Sequence, residues 1–303
     1  MTDHSMNDHQ LDERANRNRL MKRIALRLGL YTLLILFALY YLMPLFVMVV
    51  TSLKSLDEIR TGSLLSLPRE IDFSSWGKAW SGACTGIQCN GLQPYFWNSV
   101  LLSIPAVAIS TLLGAINGYV LAQWRFKGSN ILFALMLFGC FIPFQVVLLP
   151  MAITLGALKI AGTIPGLMLV HIVYGIGFTT LFFRNFYVTI PQELVKAAKV
   201  DGAGFFRIFF SIFLPVSPPI IVVTVIWQFT QIWNDFLFGV SFSQAGTQPI
   251  TVALNNIVNA TTGVKEYNVD MAAAIIAALP TLLVYVVAGK YFIRGLTAGS
   301  VKG

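Results

Sequence analysis

Charge is scarce in this chain. Only 11% of its 303 residues are Asp, Glu, Lys or Arg, where soluble domains average about 25%. Together with a 56% hydrophobic content, that shortage excludes an ordinary soluble domain and indicates an integral membrane protein. Cysteine is rare too: Cys84, Cys89 and Cys140 are too few for a disulfide-stapled scaffold and lack zinc-site spacing with histidine. His4, His9 and His171 are scattered, so no metal site is expected. The chain has no Gly-x-x-x-x-Gly-Lys-Ser/Thr phosphate loop, which excludes it as an ATPase in its own right. No nucleophile–base pair stands out, so neither catalytic residues nor a cofactor are expected.

What the chain has instead is long apolar runs. Leu28 to Val50 spans roughly 34 Å as a helix, enough for the hydrocarbon core of a bilayer. It exceeds the apolar core of a signal peptide and no small-x-small cleavage site follows, so it reads as a retained span. The whole sequence divides into six spans at about 24–50, 96–123, 131–155, 164–183, 213–240 and 271–292. A polar N-terminal tail covers 1–23, a transmembrane domain 24–294 and a C-terminal tail 295–303. Pro44, Pro105, Pro143 and Pro150 fall in or near spans, where neighbouring helices can satisfy a kinked backbone.

Basic residues set the orientation. They crowd the N-terminal tail (Arg14, Arg17, Arg19, Lys22, Arg23 and Arg27) and the second-to-third connection (Arg125 and Lys127). More lie in the loop after the fourth span, at Arg184, Lys196, Lys199 and Arg207, and near the C-terminus at Lys290, Arg294 and Lys302. The other side holds fewer. By the positive-inside rule both termini and the loop at 184–212 are cytoplasmic. The net charge of +8 is therefore a topology signal, and a nucleic-acid partner is not expected.

The largest outer segment, 51–95, carries Cys84 and Cys89 in Cys-Thr-Gly-Ile-Gln-Cys. They lie on the side where disulfides persist, and are either a local bridge or two free thiols. Tyr95, Phe96 and Trp97 then read as an interfacial aromatic belt, and Cys140 as a small apolar packing residue. Few ionisable groups enter the spans. His171 reads as a neutral histidine hydrogen-bonded within the bundle rather than a substrate contact. Asp235, in Trp233-Asn234-Asp235-Phe236, is costly to bury and should face protein or a water-filled cavity. A structural role and a part, with Asn234, in a translocation path both remain open.

The polar stretch Pro191 to Pro219 interrupts this apolar chain and is built like a soluble helix–turn–helix. Pro191 suits a first helical position, and Leu194, Ala197 and Ala198 fall on one side of the helix, away from Glu193, Lys196 and Lys199. Asp201-Gly202 ends it. A second helix is expected from about Phe205 to Leu214, closed by Pro215. The side with little side chain could press into a cleft on another protein.

Ala197, Ala198, Asp201, Gly202, Ile212, Leu214 and Pro215 resemble the Glu-Ala-Ala loop of ATP-binding-cassette (ABC) importer permeases. The leading Glu is replaced by Lys196. The ending Gly295-Leu296-Thr297-Ala298-Gly299-Ser300-Val301-Lys302-Gly303 is similar to that of maltose-type sugar permeases, and Phe96-Trp97-Asn98-Ser99 fits the approach to their second span. Trp-Asn-Glu/Asp-Phe is also common there. The resemblance, covering nearly all the chain from Leu28, is to carbohydrate ABC permeases of the maltose-permease G type, with a weaker leaning to glucose/mannose importers. It implies an all-α type I importer permease in the bacterial inner membrane and a carbohydrate substrate. Its implied partners are a second permease, an ABC ATPase dimer and a periplasmic sugar-binding protein. It also implies that Glu193, Lys196, Ala197, Ala198, Asp201 and Gly202 meet the ATPase. An ion-coupled secondary transporter is the alternative, with only His171 and Asp235 to serve it; a non-transport scaffold subunit is a further one.

Overall fold

The computed structural model describes residues 3–86, 88–124, 126–260 and 264–298, with side chains between 20 and 289. Among them every regular element is a helix. Two compact units divide after Asp72. In the first, α1 (Asp3–Ser52) is one helix that carries the polar N-terminal segment directly into the apolar run. Its run from Leu20 to Ser52 is long and apolar enough to cross a bilayer. Ser55 caps α2 (Leu56–Thr61) by accepting from the Glu58 N–H. Lys54, only 2% exposed, donates to the Ser63 carbonyl and the Ser66 hydroxyl, each at 3.0 Å. Those bonds compensate a charge that burial would otherwise penalise.

The second unit is organised on α4 (Gln93–Gln123) and α7 (Ile164–Tyr187). Ala106, Ser110, Gly114, Gly118 and Ala122 recur every fourth residue of α4, and all are buried. Side chains spaced by four share a helix face, so this stripe is a flat seam that lets α7 approach closely. A Cβ on Gly114 would lie 2.4 Å from Thr179 Oγ1, and one on Gly118 would lie 2.6 Å from Phe183 Cβ. No side chain larger than hydrogen fits either place without moving α7.

Two expected spans are broken. The third divides into α5 (Ser129–Cys140) and α6 (Phe144–Ala157), bent by 103°. Pro143 supplies no N–H and drives the preceding residue out of helical geometry; the freed Ile142 carbonyl accepts from the Tyr174 hydroxyl at 2.5 Å. The fifth, expected at 213–240, holds α10 (Leu214–Val216) and α11 (Pro218–Trp233); the loop helix expected before it is α9 (Phe205–Ile208) and a π-helical turn (Phe209–Phe213), and 205–216 meets α11 at 79°. Pro215 does not close a helix as expected; the widened π turn before it absorbs its missing donor, and the bend falls at Ser217-Pro218-Pro219. Asn234-Asp235 interrupts the chain again before α12 (Leu237–Phe242). Among the described residues four helices are long and apolar enough to cross a membrane, and each bent pair adds one more if counted as a span.

Short helices occupy stretches read as loop. α3 (Ser74–Ser81) and α13 (Ile250–Val258) pack with Leu92, Tyr95, Trp233 and the first turns of α14 (Tyr267–Ala298) at one end of the bundle. The expected aromatic belt is not what Tyr95 and Phe96 form. Tyr95 is 3% exposed, and the Phe96 ring sits edge-on to Trp80 and Trp233, at 5.5 and 5.4 Å. Only Trp97 is exposed, because α13 and α14 cover the others. Of the C-terminal signature, Gly295 to Ala298 continue α14 and 299–303 lie outside the described residues.

Leucine at Gly114 or Gly118 should wedge α4 from α7, at a cost of about 1–3 kcal/mol each as an overpacked core. A fall of several degrees in the unfolding midpoint of the purified chain in detergent would register it. An unchanged midpoint in Gly118→Leu would show that the seam does not hold the pair.

Candidate functional site

At one end of α4 and α7 the polar loop is strapped down by aromatic residues. Tyr119, fully buried on α4, lies against Phe205, Phe209 and Phe213, with ring centroids 4.9, 5.4 and 4.7 Å away. Its hydroxyl donates to the Phe205 carbonyl at 3.2 Å. Tyr187 at the end of α7 shares a 2.8 Å hydrogen bond with the Ser217 hydroxyl. α8 (Gln192–Val200) rests on this cluster through Val195, which is 4% exposed. Lys199 stacks over the Trp124 ring at 4.3 Å, a cation–π contact that fixes the far end of the helix.

This anchoring changes the helical face assigned above. Ala198 is half-buried against the same cluster and faces inward with Val195. Leu194 and Ala197 are exposed, as are Glu193 and Lys196 beside them. The surface that α8 offers is thus Glu193, Leu194, Lys196 and Ala197, with Ala198 in its footing. Pro191 stands one place earlier than expected, at the N-cap. Asp201 caps the other end, and Gly202 has φ of +76°, the left-handed geometry that glycine adopts without cost. Val195 is the residue the sequence reading passed over; it is the apolar position between Leu194 and Lys196, three before Ala198.

Beyond the far end of α4, Cys84 and Cys89 are disulfide-bonded. The intervening turn is closed by the Thr85 N–H on the Gln88 carbonyl at 2.8 Å, and the Thr85 hydroxyl meets that of Tyr95 at 2.7 Å. Asn98 donates to the carbonyls of Gly246 and Gln248, and Ser99 accepts from the N–H of Ile250. Asn98-Ser99 therefore ties α4 to the start of α13. Ion pairs of Lys78 with Glu266 and of Lys265 with Asp270 lie at this same end.

Trp233-Asn234-Asp235-Phe236 divides its labour. Trp233 is buried and donates to the Ala277 carbonyl at 2.9 Å. Asn234 accepts from Thr281 at 3.4 Å. Asp235 takes the N–H groups of Phe238 and Gly239, at 3.3 and 2.9 Å, and so caps α12. His171 Nε2 lies 3.7 Å from Asp235 Oδ2, beyond hydrogen-bond reach, and has no hydrogen-bond partner although His171 is buried. The expected hydrogen bond from this ring within the bundle is therefore not made by Nε2.

These residues face a half-open cavity of about 330 Å³ between α6, α7, α11 and α12. His171, Tyr174, Gly175 and Phe178 line it from one stripe of α7, while Trp227, Gln228 and Gln231 line it from α11 and Asn234 from just past its end. Phe144, Tyr174 and Phe238 form a mutually packed aromatic wall, and Phe178 lies against Trp227 at 4.7 Å. Aromatic faces plus a few amide and carboxylate groups make a binding surface for a small polar molecule with apolar faces. Among the described residues no group of three or more His, Cys, Asp or Glu could hold a metal.

The second unit is thus a helical bundle that carries an exposed, strapped-down polar helix. Residues 110–297 match the family described as binding-protein-dependent transport system inner membrane component, and the chain belongs to that family. A probable ABC transporter permease of Pyrococcus horikoshii is 39% identical over 93% of this chain and all of its own length. The xylose/arabinose import permease of Haloferax volcanii is 32% identical, over 89% of this chain and 92% of its own. The fold is also that of a chain in a bacterial ABC transporter importing the acidic polysaccharide alginate: TM-score 0.73, 22% identity, 86% of this chain and 94% of the other.

Val195→Asp should unseat α8, because a carboxylate placed among Tyr119, Phe183 and Phe209 has no partner there. Limited proteolysis of membranes should then cut between 191 and 203 at least several-fold faster than in the unaltered chain. Equal cleavage rates would mean that Val195 is not the anchor. Alkylation mass spectrometry of unreduced membranes should recover Cys84 and Cys89 as one linked peptide. Free labelling of both by an impermeant thiol reagent would refute the bridge.

Proposed function

We propose that this chain is one of the two permease subunits of a binding-protein-dependent ABC sugar importer, carrying a monosaccharide of the glucose/mannose kind. In this reading it crosses the cytoplasmic membrane six times with both termini inside. It pairs with a second permease, two copies of an ATPase and an external sugar-binding protein. The observation that carries the reading is α8 itself: a short helix exposing Glu193, Lys196 and Ala197, seated on the α4–α7 pair. Membership of the transport-system family supports it, as does a relative named for importing xylose and arabinose. The Cys84–Ser99 segment and the C-terminal signature motivate the narrower sugar class.

The physical mechanism is a two-state bundle biased from both ends. Closure of the ATPase dimer pushes on α8, and the push reaches Tyr119 and Tyr187 through Val195 and Ala198. Because Tyr119 and Tyr187 belong to α4 and α7, the load falls on the central pair rather than on a floppy loop. The sugar-loaded binding protein biases the opposite end, and the two inputs shift one equilibrium between outward and inward access. Lys196 stands where the family pattern has Glu. Glu193, one helical turn earlier and equally exposed, takes over the contact with a basic group on the ATPase.

In proteoliposomes holding the complete transporter, Glu193→Lys should reduce ATP-driven uptake far more than Lys196→Ala. Ala197→Asp should block docking, and Gly202→Val should strain the turn by about 1 kcal/mol or more; both should abolish uptake. Full transport by Ala197→Asp and Glu193→Lys, with the ATPase still bound, would show that α8 is not the coupling surface. Deleting the gene should lower high-affinity glucose uptake in cells, whereas a loss confined to an oligosaccharide would overturn the monosaccharide assignment.

A further inference from the structure

The bend between α5 and α6 leaves a second notch, against α7, that plays no part in the mechanism above. We propose that it seats one acyl chain of an anionic glycerophospholipid whose phosphate is held by Arg184. The proposal needs only that the chain is embedded in a membrane with α8 at the cytoplasmic face, as in the reading above.

The notch has a volume of about 260 Å³, and Met136, Gly139, Val147, Met151, Val173 and Gly177 line much of it. Its polar side chains are already spent. The Cys140 thiol donates to the Met136 carbonyl at 3.3 Å, and the Tyr174 hydroxyl to the Ile142 carbonyl at 2.5 Å. A hydroxyl-rich solute would lose its hydration there with nothing to replace it. An alkyl chain needs no partner, and the unbranched methionines at 136 and 151 adapt to an irregular occupant. Left empty, the lining would forfeit its dispersion contacts.

Charge specifies the head group. Arg184 is the basic residue in the last turn of α7, and its guanidinium lies over the Phe133 ring of α5, 4.1 Å from the centroid. Its Nε is buried without a hydrogen-bond partner. Among the described residues no ion pair includes Arg184, nor Lys199 over Trp124 at the same end of the bundle. Positive charge therefore stands here with no carboxylate against it. A phosphate diester supplies what is missing, because two of its oxygens can take the parallel donors of a guanidinium fork. Basic sites between helices at a cytoplasmic surface are where anionic lipid head groups bind.

Head and chain are also in register. By helical spacing Phe133, Met136 and Cys140 share one face of α5, and Val173, Gly177 and Arg184 share one face of α7. The two faces meet closely, since a Cβ on Gly177 would lie 2.3 Å from the Cys140 sulfur. From Val173 and Gly177 to Arg184 is roughly 10–17 Å along the helix. The head-group layer is only about 5–8 Å deep on each side of a bilayer. With a phosphate at Arg184, the notch therefore lies at the depth of the acyl chains.

Native mass spectrometry of the purified full-length chain, titrated with palmitoyl-oleoyl phosphatidylglycerol or phosphatidylcholine, tests this. The unaltered chain should hold its first phosphatidylglycerol about fivefold more tightly than phosphatidylcholine, the scale of one cation acting on an anionic lipid. Arg184→Gln should bring the two lipids to parity, and Arg184→Lys should keep part of the preference. A Cβ on Gly139 would meet nothing within 4 Å, so Gly139→Leu fills the notch without a clash. It should weaken both lipids several-fold and leave their ratio unchanged. Equal binding of the two lipids by the unaltered chain, or a preference that survives Arg184→Gln, overturns the site. So does unchanged affinity in Gly139→Leu. Displacement of bound phosphatidylglycerol by inorganic phosphate alone would mean an anion site without a lipid, and overturns it too. Should Arg184→Gln not be recovered, Gly139→Leu and the phosphate competition decide. None of these outcomes measures sugar transport, so the importer reading stands or falls separately.

Discussion

The close approach of α4 and α7 is the constraint on which the second unit depends. Between lipid-soluble helices there is little hydrophobic drive to associate, so tight van der Waals packing and backbone proximity must supply it. Glycine at 114 and 118 lets Thr179 and Phe183 enter the space that side chains would fill. Everything functional is then hung on the outer faces of this pair. Tyr119 and Tyr187 project from one end of it to hold the polar loop, and His171 and Tyr174 project from its flank into the cavity.

The strap around α8 shows how a short helix with little intrinsic stability is held in place. Isolated helices of nine residues do not persist in water. α8 persists because Val195 and Ala198 are buried in an aromatic cluster and Lys199 is pinned over Trp124. The π turn at Phe209–Phe213 presents Phe209 and Phe213 to Tyr119 on consecutive turns. α8 is therefore footed on rings in contact rather than on hinge-like backbone.

The architecture was legible in the sequence where apolar length decides it, and less so where proline and burial compete. The long runs at α1, α4, α7 and α14 read directly as spans. Runs around Pro143 and Pro218 read as single spans too, because hydropathy averages over the bend that a missing N–H imposes. α3 and α13 were invisible: their residues are polar or mixed, and their helicity comes from packing against Tyr95, Trp233 and α14. Within the polar loop the turn at Gly202 followed from residue type alone. The inward face did not, because Val195 owes its importance to Tyr119 and Phe209, far away in sequence. Tyr95 and Phe96 misled for the same reason; aromatic residues at the end of a span suit an interface or a core equally, and α13 and α14 decide. The spacing of Ala106, Ser110, Gly114, Gly118 and Ala122 was a signal present in the sequence that names the seam without any structure.

Separating the seam from the cavity wall has an evolutionary consequence. Gly114 and Gly118 lie on α4 and Thr179 and Phe183 on α7, whereas Trp227 and Gln231 lie on α11, which bears the other wall of the cavity. Gln231 and Asn234 on that side are exposed, whereas Trp227 packs on Phe178 and Phe182, the neighbours of Thr179 and Phe183 on α7. Change is thereby tolerated most easily at Gln231 and Asn234, and least where Gly114 and Gly118 leave no room for a side chain.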